Sequence, residues 1–454
     1  MLWIKMTTHN ASTVTPLRPE DPADIAFHIG RRLDGAQSPL IHSMKKASNF
    51  HHALIGTSGV GKTYTIRKMA IEFASQGVTQ FILDTQGDYS FAEFSSNHDM
   101  KGVRVNEIKF GYGPGTAGIN PFAIHSDDQY GGFHHAVIGV METLRLFNPS
   151  IGSRQKTQLR RLITRTYERK GIVMEDPRSW RLEPPTMRDL LTTIDDEIKS
   201  VKSRSGTDIF DEIEKARKKA QRAAFCIKND ENSTDDLKAL EQEVEDHKAS
   251  VMACFEEILD QELRDGEKLP SISGSLNRLE AIHDMIEGAI ISGLFDGENI
   301  SAKRGAINVL DLTSLNQADQ QPIFYLLLEK TFHSAVRTCK NLNPKIPDMM
   351  FGFDEVKLFT ALADSPLDPI NRFFTEGRKY GLGSLCGLQH PKQLTNEMRS
   401  SIGTIMLLPV AKEKISDVKR LWNIPEEQMA RLKAKSDAFY GFGNDSFVPI
   451  KLFG

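Results

Sequence analysis

The sequence predicts an α/β fold with a mostly parallel sheet covered by helices on both faces. Three observations carry this. Short apolar runs alternate with helical segments along most of the chain, as strands buried on both faces require. A glycine-rich loop joins the first buried run to its helix. Several later runs end in a carboxylate or an amide, at the edge where such sheets bind ligands.

The elements follow in order. Residues 1–20 are polar and read as a loose tail, and residues 25–50 as a short lead-in with one strand near Ile25–Ile29. His51–Gly56 reads as a buried strand and Lys62–Ser75 as a helix. Gln80–Asp84 is a second apolar strand. Residues 131–171 and Met187–Lys202 read as helical. Residues 203–268 change character: dense in Glu, Lys, Asp and Ala, with no proline. Leu237, Leu240, Val244, His247, Val251, Cys254 and Ile258 step by three and four, a heptad seam. Asp208–Ile227 also reads as helical, so the segment is expected to form an inserted coiled-coil-like hairpin: a lever, a partner-docking arm or a DNA clamp, or else a solvated decoration. The α/β rhythm then resumes. Ala306–Asp311, Met349–Glu355, Gly383–Gln389, Thr404–Val410 and Phe447–Phe453 read as strands, and Gln321–Cys339 as a long helix. The expected organisation is a tail and lead-in (1–45), a first core part (46–202), the hairpin (203–268) and a second core part (269–454).

Composition narrows the function. The 454 residues carry 57 basic and 60 acidic side chains, a net charge of −3. That excludes a generally basic nucleic-acid coat and leaves room for a local basic surface. Cys226, Cys254, Cys339 and Cys386 form no CxxC pair, so neither a zinc ribbon nor a disulfide framework is indicated. No apolar run approaches the roughly 18 residues of a membrane span. A cytoplasmic protein without membrane association is expected.

Gly56-Thr57-Ser58-Gly59-Val60-Gly61-Lys62-Thr63 matches G-x-x-x-x-G-K-[ST] at every fixed position. It follows a buried strand and opens a helix, as phosphate binding requires. The glycines let backbone N–H groups turn inward around a phosphate, and the helix N-terminus adds its partial positive charge. The loop and the following Tyr64 are the candidate nucleotide contacts. Lys62 is expected to reach the β- and γ-phosphates and the Thr63 hydroxyl to ligate Mg²⁺.

Met349–Glu355 is an apolar run ending in two acids. Asp354 is expected to support the metal and Glu355 to polarise the attacking water. Asp84 and Asp311 also end strands, but only Asp354 is followed by Glu. Their bland reading is a cap or turn. Gln389, at the end of a further strand, can donate and accept a hydrogen bond and so sense a γ-phosphate. Arg378 and Lys379 lie one strand-length earlier, at the opposite sheet edge. They are either solvated charges or, for Arg378, a finger serving a neighbouring subunit.

Together these segments resemble the HerA–FtsK superfamily of P-loop motor ATPases, and most of all its HerA-like branch, with the type IV secretion ATPases nearby. The resemblance rests on HALIGTSGVGKTYTI (52–66), FILDTQGDYS (81–90), GINPF (118–122), INVLDLTSL (307–315), FGFDEVKLF (351–359) and EGRKYGLGSLCGLQHPKQL (376–394). It implies a RecA-like P-loop NTPase using ATP and Mg²⁺, a hexameric ring, duplex DNA as a partner, and a separate nuclease or other effector in DNA processing or antiphage defence. The residues before the loop are too few for the N-terminal β-barrel of HerA helicases, so a barrel-less version is expected. No LSGGQ-like or Asn-Lys-x-Asp motif is present, which disfavours ABC ATPases and GTPases.

Residues 154–170 carry seven basic side chains and one acid. At helical spacing Leu159, Leu162, Ile163 and Tyr167 face the core and the basic residues face outward. This is the candidate phosphate-contacting surface, or else a solvated helix face. Lys215–Arg222 is a second basic stripe. The function expected first is a DNA-translocating ring motor. The alternatives are an ATP-gated scaffold that presents an effector, and a peripheral secretion or conjugation ATPase.

Overall fold

The computed structural model describes residues 4–7, 24–34, 38–112, 115–124, 132–148, 150–204, 272–295, 298–339, 342–354, 369–442 and 447–453, with scattered residues of 205–271. It divides into two compact units. One comprises Met1–Pro149, Val173–Pro184 and Ile290–Gly454, the other Ser150–Ile172 and Pro185–Ala289.

The first unit is built on an eleven-stranded sheet. Its strands are β2 (Ala26–Arg32), β3 (Pro39–Ser43), β4 (His51–Ile55), β5 (Thr79–Asp84), β6 (Val105–Lys109), β9 (Ile307–Asp311), β10 (Met349–Phe353), β11 (Leu382–Leu388), β12 (Ile402–Leu407), β13 (Asp437–Gly441) and β14 (Val448–Leu452). The order is β3-β2-β14-β13-β12-β4-β11-β10-β5-β9-β6. From β12 to β6 every pairing is parallel. From β12 to β3 every pairing is antiparallel. A small sheet joins β1 (Ile4–Thr7), β8 (Glu298–Lys303) and β7 (Ala117–Gly118).

The parallel half agrees with the sequence reading. β4, β5 and β11 are buried along their whole length, which is why they read as unbroken apolar runs. The antiparallel half adds to it. The strand expected near Ile25–Ile29 is present as β2, and it pairs with β14, so this segment lengthens the main sheet. β1 likewise lies in the stretch expected to be tail. Neither segment closes into a barrel. Helix α1 (Lys62–Ser75) buries Ile66, Met69, Ala70, Ile71 and Phe73 in the core cluster, against residues of β2, β4 and β11, and the short helix α2 (Phe91–Asn97) follows β5.

The second unit is helical. α4 (Ser153–Arg169) buries Leu159, Leu162, Ile163 and Tyr167, as its spacing predicts. It is separate from α3 (Gly132–Phe147), where the sequence suggested one helical stretch. α5 (Met187–Arg204) answers α4 with charge: Arg165–Glu197 at 2.5 Å, Arg169–Asp196 at 2.7 Å and Lys170–Asp189 at 2.9 Å. The heptad seam expected in 203–268 lies outside the described residues, apart from the half-buried helical Val244.

Candidate functional site

Strand order assembles the site. β11 lies between β4 and β10, so Gly56, Gln389 and Asp354 emerge from three adjacent strands at one edge of the sheet. The glycine-rich loop is fastened on both sides. The Gly56 N–H donates to the Leu388 carbonyl (2.9 Å) and the Thr57 N–H to the Pro409 carbonyl (3.0 Å). Gly61, at φ 105°, caps α1 in a conformation that L side chains rarely adopt. The buried Lys62 ammonium donates to the carbonyls of Gly56 (2.9 Å) and Thr57 (2.7 Å), inside the curve of the loop.

The Thr63 hydroxyl donates to the Asp354 carboxylate. The Tyr89 hydroxyl donates to the same carboxylate oxygen at 3.0 Å. Tyr89 is fully buried, and burial together with the Asp354 charge pushes its phenol well above the ordinary range, so it remains a donor. Space for Asp354 depends on Gly387 of β11: a Cβ there would lie 2.5 Å from the carboxylate. Gln389 follows β11 with an exposed side chain, and its N–H donates to the Gln393 side chain at 2.8 Å. Glu355 lies outside the described residues.

The competing strand-end acids are caps. Asp84 is buried and accepts the N–H groups of Gln86, Gly87, Asp88 and Tyr89 at 2.7–3.1 Å. Asp311 accepts the Thr313 N–H at 3.0 Å and its hydroxyl at 2.6 Å. Asp84 nevertheless matters to the site, since the loop it folds delivers Tyr89 to Asp354. Sequence reasoning quoted Tyr89 within FILDTQGDYS and gave it no role. Arg67 of α1 supports the same loop, donating to the Asp88 carbonyl at 2.7 Å.

The family described as Helicase HerA, central domain, matches residues 27–331. This chain belongs to that family. It is a P-loop ATPase of the HerA–FtsK superfamily. Among solved structures it is similar to VirB4 of Thermoanaerobacter pseudethanolicus, with TM-score 0.61 and 12% identity over 94% of this chain and 96% of that one. It is also similar to the bacterial conjugative coupling protein TrwBdeltaN70, with TM-score 0.49 and 14% identity over 93% of this chain and 88% of the other. No curated protein sequence matches it.

The GINPF signature is held by local hydrogen bonds in this HerA-family ATPase. In GINPF, the Asn120 side chain accepts the Phe122 N–H at 2.9 Å, and Phe122 is fully buried. The half-buried Lys330 donates to the carbonyls of Pro121 (3.1 Å) and Ala123 (2.9 Å). Arg378 sits in a 3₁₀ turn, Gly377–Tyr380, that precedes β11. It is therefore at the sheet edge opposite the loop, exposed, with its guanidinium 5.9 Å from the Phe50 ring centre. The basic stripe of α4 is partly neutralised, since Arg165, Arg169 and Lys170 pair with acids of α5. No helix among the described residues is long and apolar enough to cross a membrane.

Proposed function

We propose that this chain is a HerA-type ring motor that hydrolyses ATP with Mg²⁺ and uses the turnover to move duplex DNA beside a separate nuclease or other effector. The observation that carries the ATP reading is the contact of Thr63 with Asp354 next to the loop. Two hard oxygen donors, 291 positions apart in the chain, meet where Mg²⁺ chemistry needs them. Bound there, Mg²⁺ would neutralise charge on the β- and γ-phosphates. The chain's own groups supply the rest. Lys62 and the loop N–H groups bind phosphate, Asp354 and Thr63 hold the metal, Glu355 orients water, and Gln389 senses the γ-phosphate from the adjacent strand end. Arg378, on the far edge, is free to serve a neighbouring subunit's site in a hexamer.

The ion pairs between α4 and α5 favour a second reading. They reduce the basic surface expected to grip DNA, as suits an ATP-gated scaffold that assembles an effector with little translocation. The likeness to VirB4 concerns the fold, so a peripheral secretion role stands behind both. ATP turnover with and without linear duplex DNA, across a salt series, separates them. Strong stimulation that fades with salt supports the motor, because phosphate contacts weaken as counterions compete. Turnover indifferent to DNA supports the scaffold. A Glu355→Gln variant should bind ATP and lose hydrolysis by more than about 100-fold. Wild-type turnover in that variant would remove the general-base assignment.

A further inference from the structure

Three aromatic residues from distant parts of the chain meet beside the phosphate loop. Tyr64, directly after Thr63, is 44% exposed on the first turn of α1. Its ring centre lies 4.4 Å from that of His98, which follows the helix Phe91–Asn97. It lies 6.5 Å from that of Phe453, which follows β14. Phe453 takes φ 47°, uncommon for an aromatic residue, and its N–H donates to the Ile29 carbonyl at 3.1 Å. Lys68, one turn along α1, places its ammonium 6.0 Å from the Phe453 ring centre.

His98 is the unexplained member. Both its ring nitrogens are shut away from water with no hydrogen-bond partner among the described residues. Burial and the nearby Lys68 and Arg67 charges push the imidazole down to about 4, so at neutral pH it offers one donor and one acceptor. Orphaned buried polar atoms are uncommon in native structures, and a ligand is one way to satisfy them.

The topology says which end of a nucleotide comes here. Asp354 and Gln389 mark the γ-phosphate end, on the β10–β11 side of β4. The hairpin β13–β14 lies on the other side of β4. The residue before it, Ser436, is preceded by Lys435, whose N–H donates to the Val60 carbonyl at 2.9 Å. Phe453 closes the same hairpin against Tyr64. A nucleotide whose γ-phosphate faced Asp354 and whose other end ran away from β10 and β11 would bring its nucleoside to the side where Phe453 meets Tyr64.

We propose that Tyr64, backed by His98 and Phe453, is the shelf on which the purine base of the nucleotide stacks, and that His98 meets the polar edge of the base when the exposed Tyr64 ring turns. The proposal rests on reading the loop as the ATP site. It adds to that reading the group that distinguishes a nucleoside triphosphate from bare phosphate. Stacking a base on an aromatic side chain is worth about a tenfold change in affinity or more.

Calorimetric titration of the full chain with Mg-ATP and with magnesium tripolyphosphate tests it. The wild type should prefer ATP by about tenfold or more. Tyr64→Ala should lose most of that preference while tripolyphosphate affinity stays unchanged, and Tyr64→Phe should keep it. His98→Ala should weaken ATP alone, by a smaller factor. Tyr64→Ala that binds ATP like the wild type, or weakens both ligands equally, overturns the shelf and leaves the phosphate site standing. A wild type that binds neither ligand overturns the ATP reading along with it. Lys62→Ala, expected to weaken both ligands together, identifies the phosphate contribution.

Discussion

Asp84 and Asp354 end neighbouring strands at the same level, since Leu83 pairs with Phe353. Both follow a run of apolar residues. Yet Asp84 gives its oxygens to four backbone N–H groups, while Asp354 gives its to two side-chain hydroxyls. Backbone donors are fixed by the chain's path, so Asp84 is consumed in shaping a loop. Hydroxyl donors can rotate away, so Asp354 is left able to take a cation. On the proposed reading of Asp354, the kind of donor each acid meets separates a structural acid from a metal-binding one.

Substitution of each acid breaks the comparison in opposite directions. Asp354→Asn should lower ATP turnover by more than about 100-fold, or roughly 3 kcal/mol, with little change in the denaturation midpoint. Comparable turnover in wild type and variant would reassign the metal site. Asp84→Ala should instead lower folding stability by about 3 kcal/mol, because four backbone N–H groups lose their shared acceptor at once. Urea denaturation measures this, and an unchanged midpoint would show that the loop holds without its cap.

The opposite end of β4 supplies a third test, on stability alone. His51 lies there in the core, and His42 of β3 packs nearby through His52. Burial pushes the imidazoles of His42 and His51 down to about 3 from an ordinary 6.5. The unfolded chain takes up protons on these rings below about pH 6.5, while the folded chain refuses them until near 3. Their contribution to stability is thus complete above pH 6.5 and drains as the pH falls. At pH 5 the loss should be about 2 kcal/mol per histidine. Urea midpoints at pH 7.5 and pH 5 read it, and His51→Phe should flatten part of the slope. A midpoint independent of pH would show the rings to be protonated inside the fold.

The smallest effect sharpens the first contrast. Tyr89→Phe removes one hydroxyl from Asp354 and leaves Asp84's four donors in place. Turnover should fall several-fold and stability by about 1 kcal/mol. If turnover is unchanged while stability falls, Tyr89 is a core residue that merely touches the site.

The phosphate loop was legible because its chemistry is local. Eight consecutive residues carry the turn, the lysine and the hydroxyl, and the strand before them is buried on both faces. β5, β9, β10 and β11 were legible for the same reason: a strand covered on both sides reads as apolar throughout. β3 is different. Its apolar residues 39–41 are more open to solvent than the polar His42 and Ser43, the reverse of a core strand's usual pattern, so PLIHS passed as lead-in. The use of β2 and β3 to extend the main sheet depends on β14, over 400 positions away, which no local pattern encodes.

The sequence by itself determined the nucleotide-binding loop, the parallel half of the sheet, the buried face of α4 and, through its ordered motifs, the HerA family. Those properties depend on residues close together in the chain, or on an order of motifs that the chain displays directly. The following Glu singled out Asp354 in the sequence, but only the tertiary structure brought its carboxylate to Thr63 and gave Tyr89 its partner. It also spent three of α4's basic residues on α5 and brought Tyr64, His98 and Phe453 together. The reason is the strand order. A parallel sheet inserts β10 and β11 beside and near β4 from about 300 or more residues away, and side chains at their ends become neighbours only once those crossovers are made.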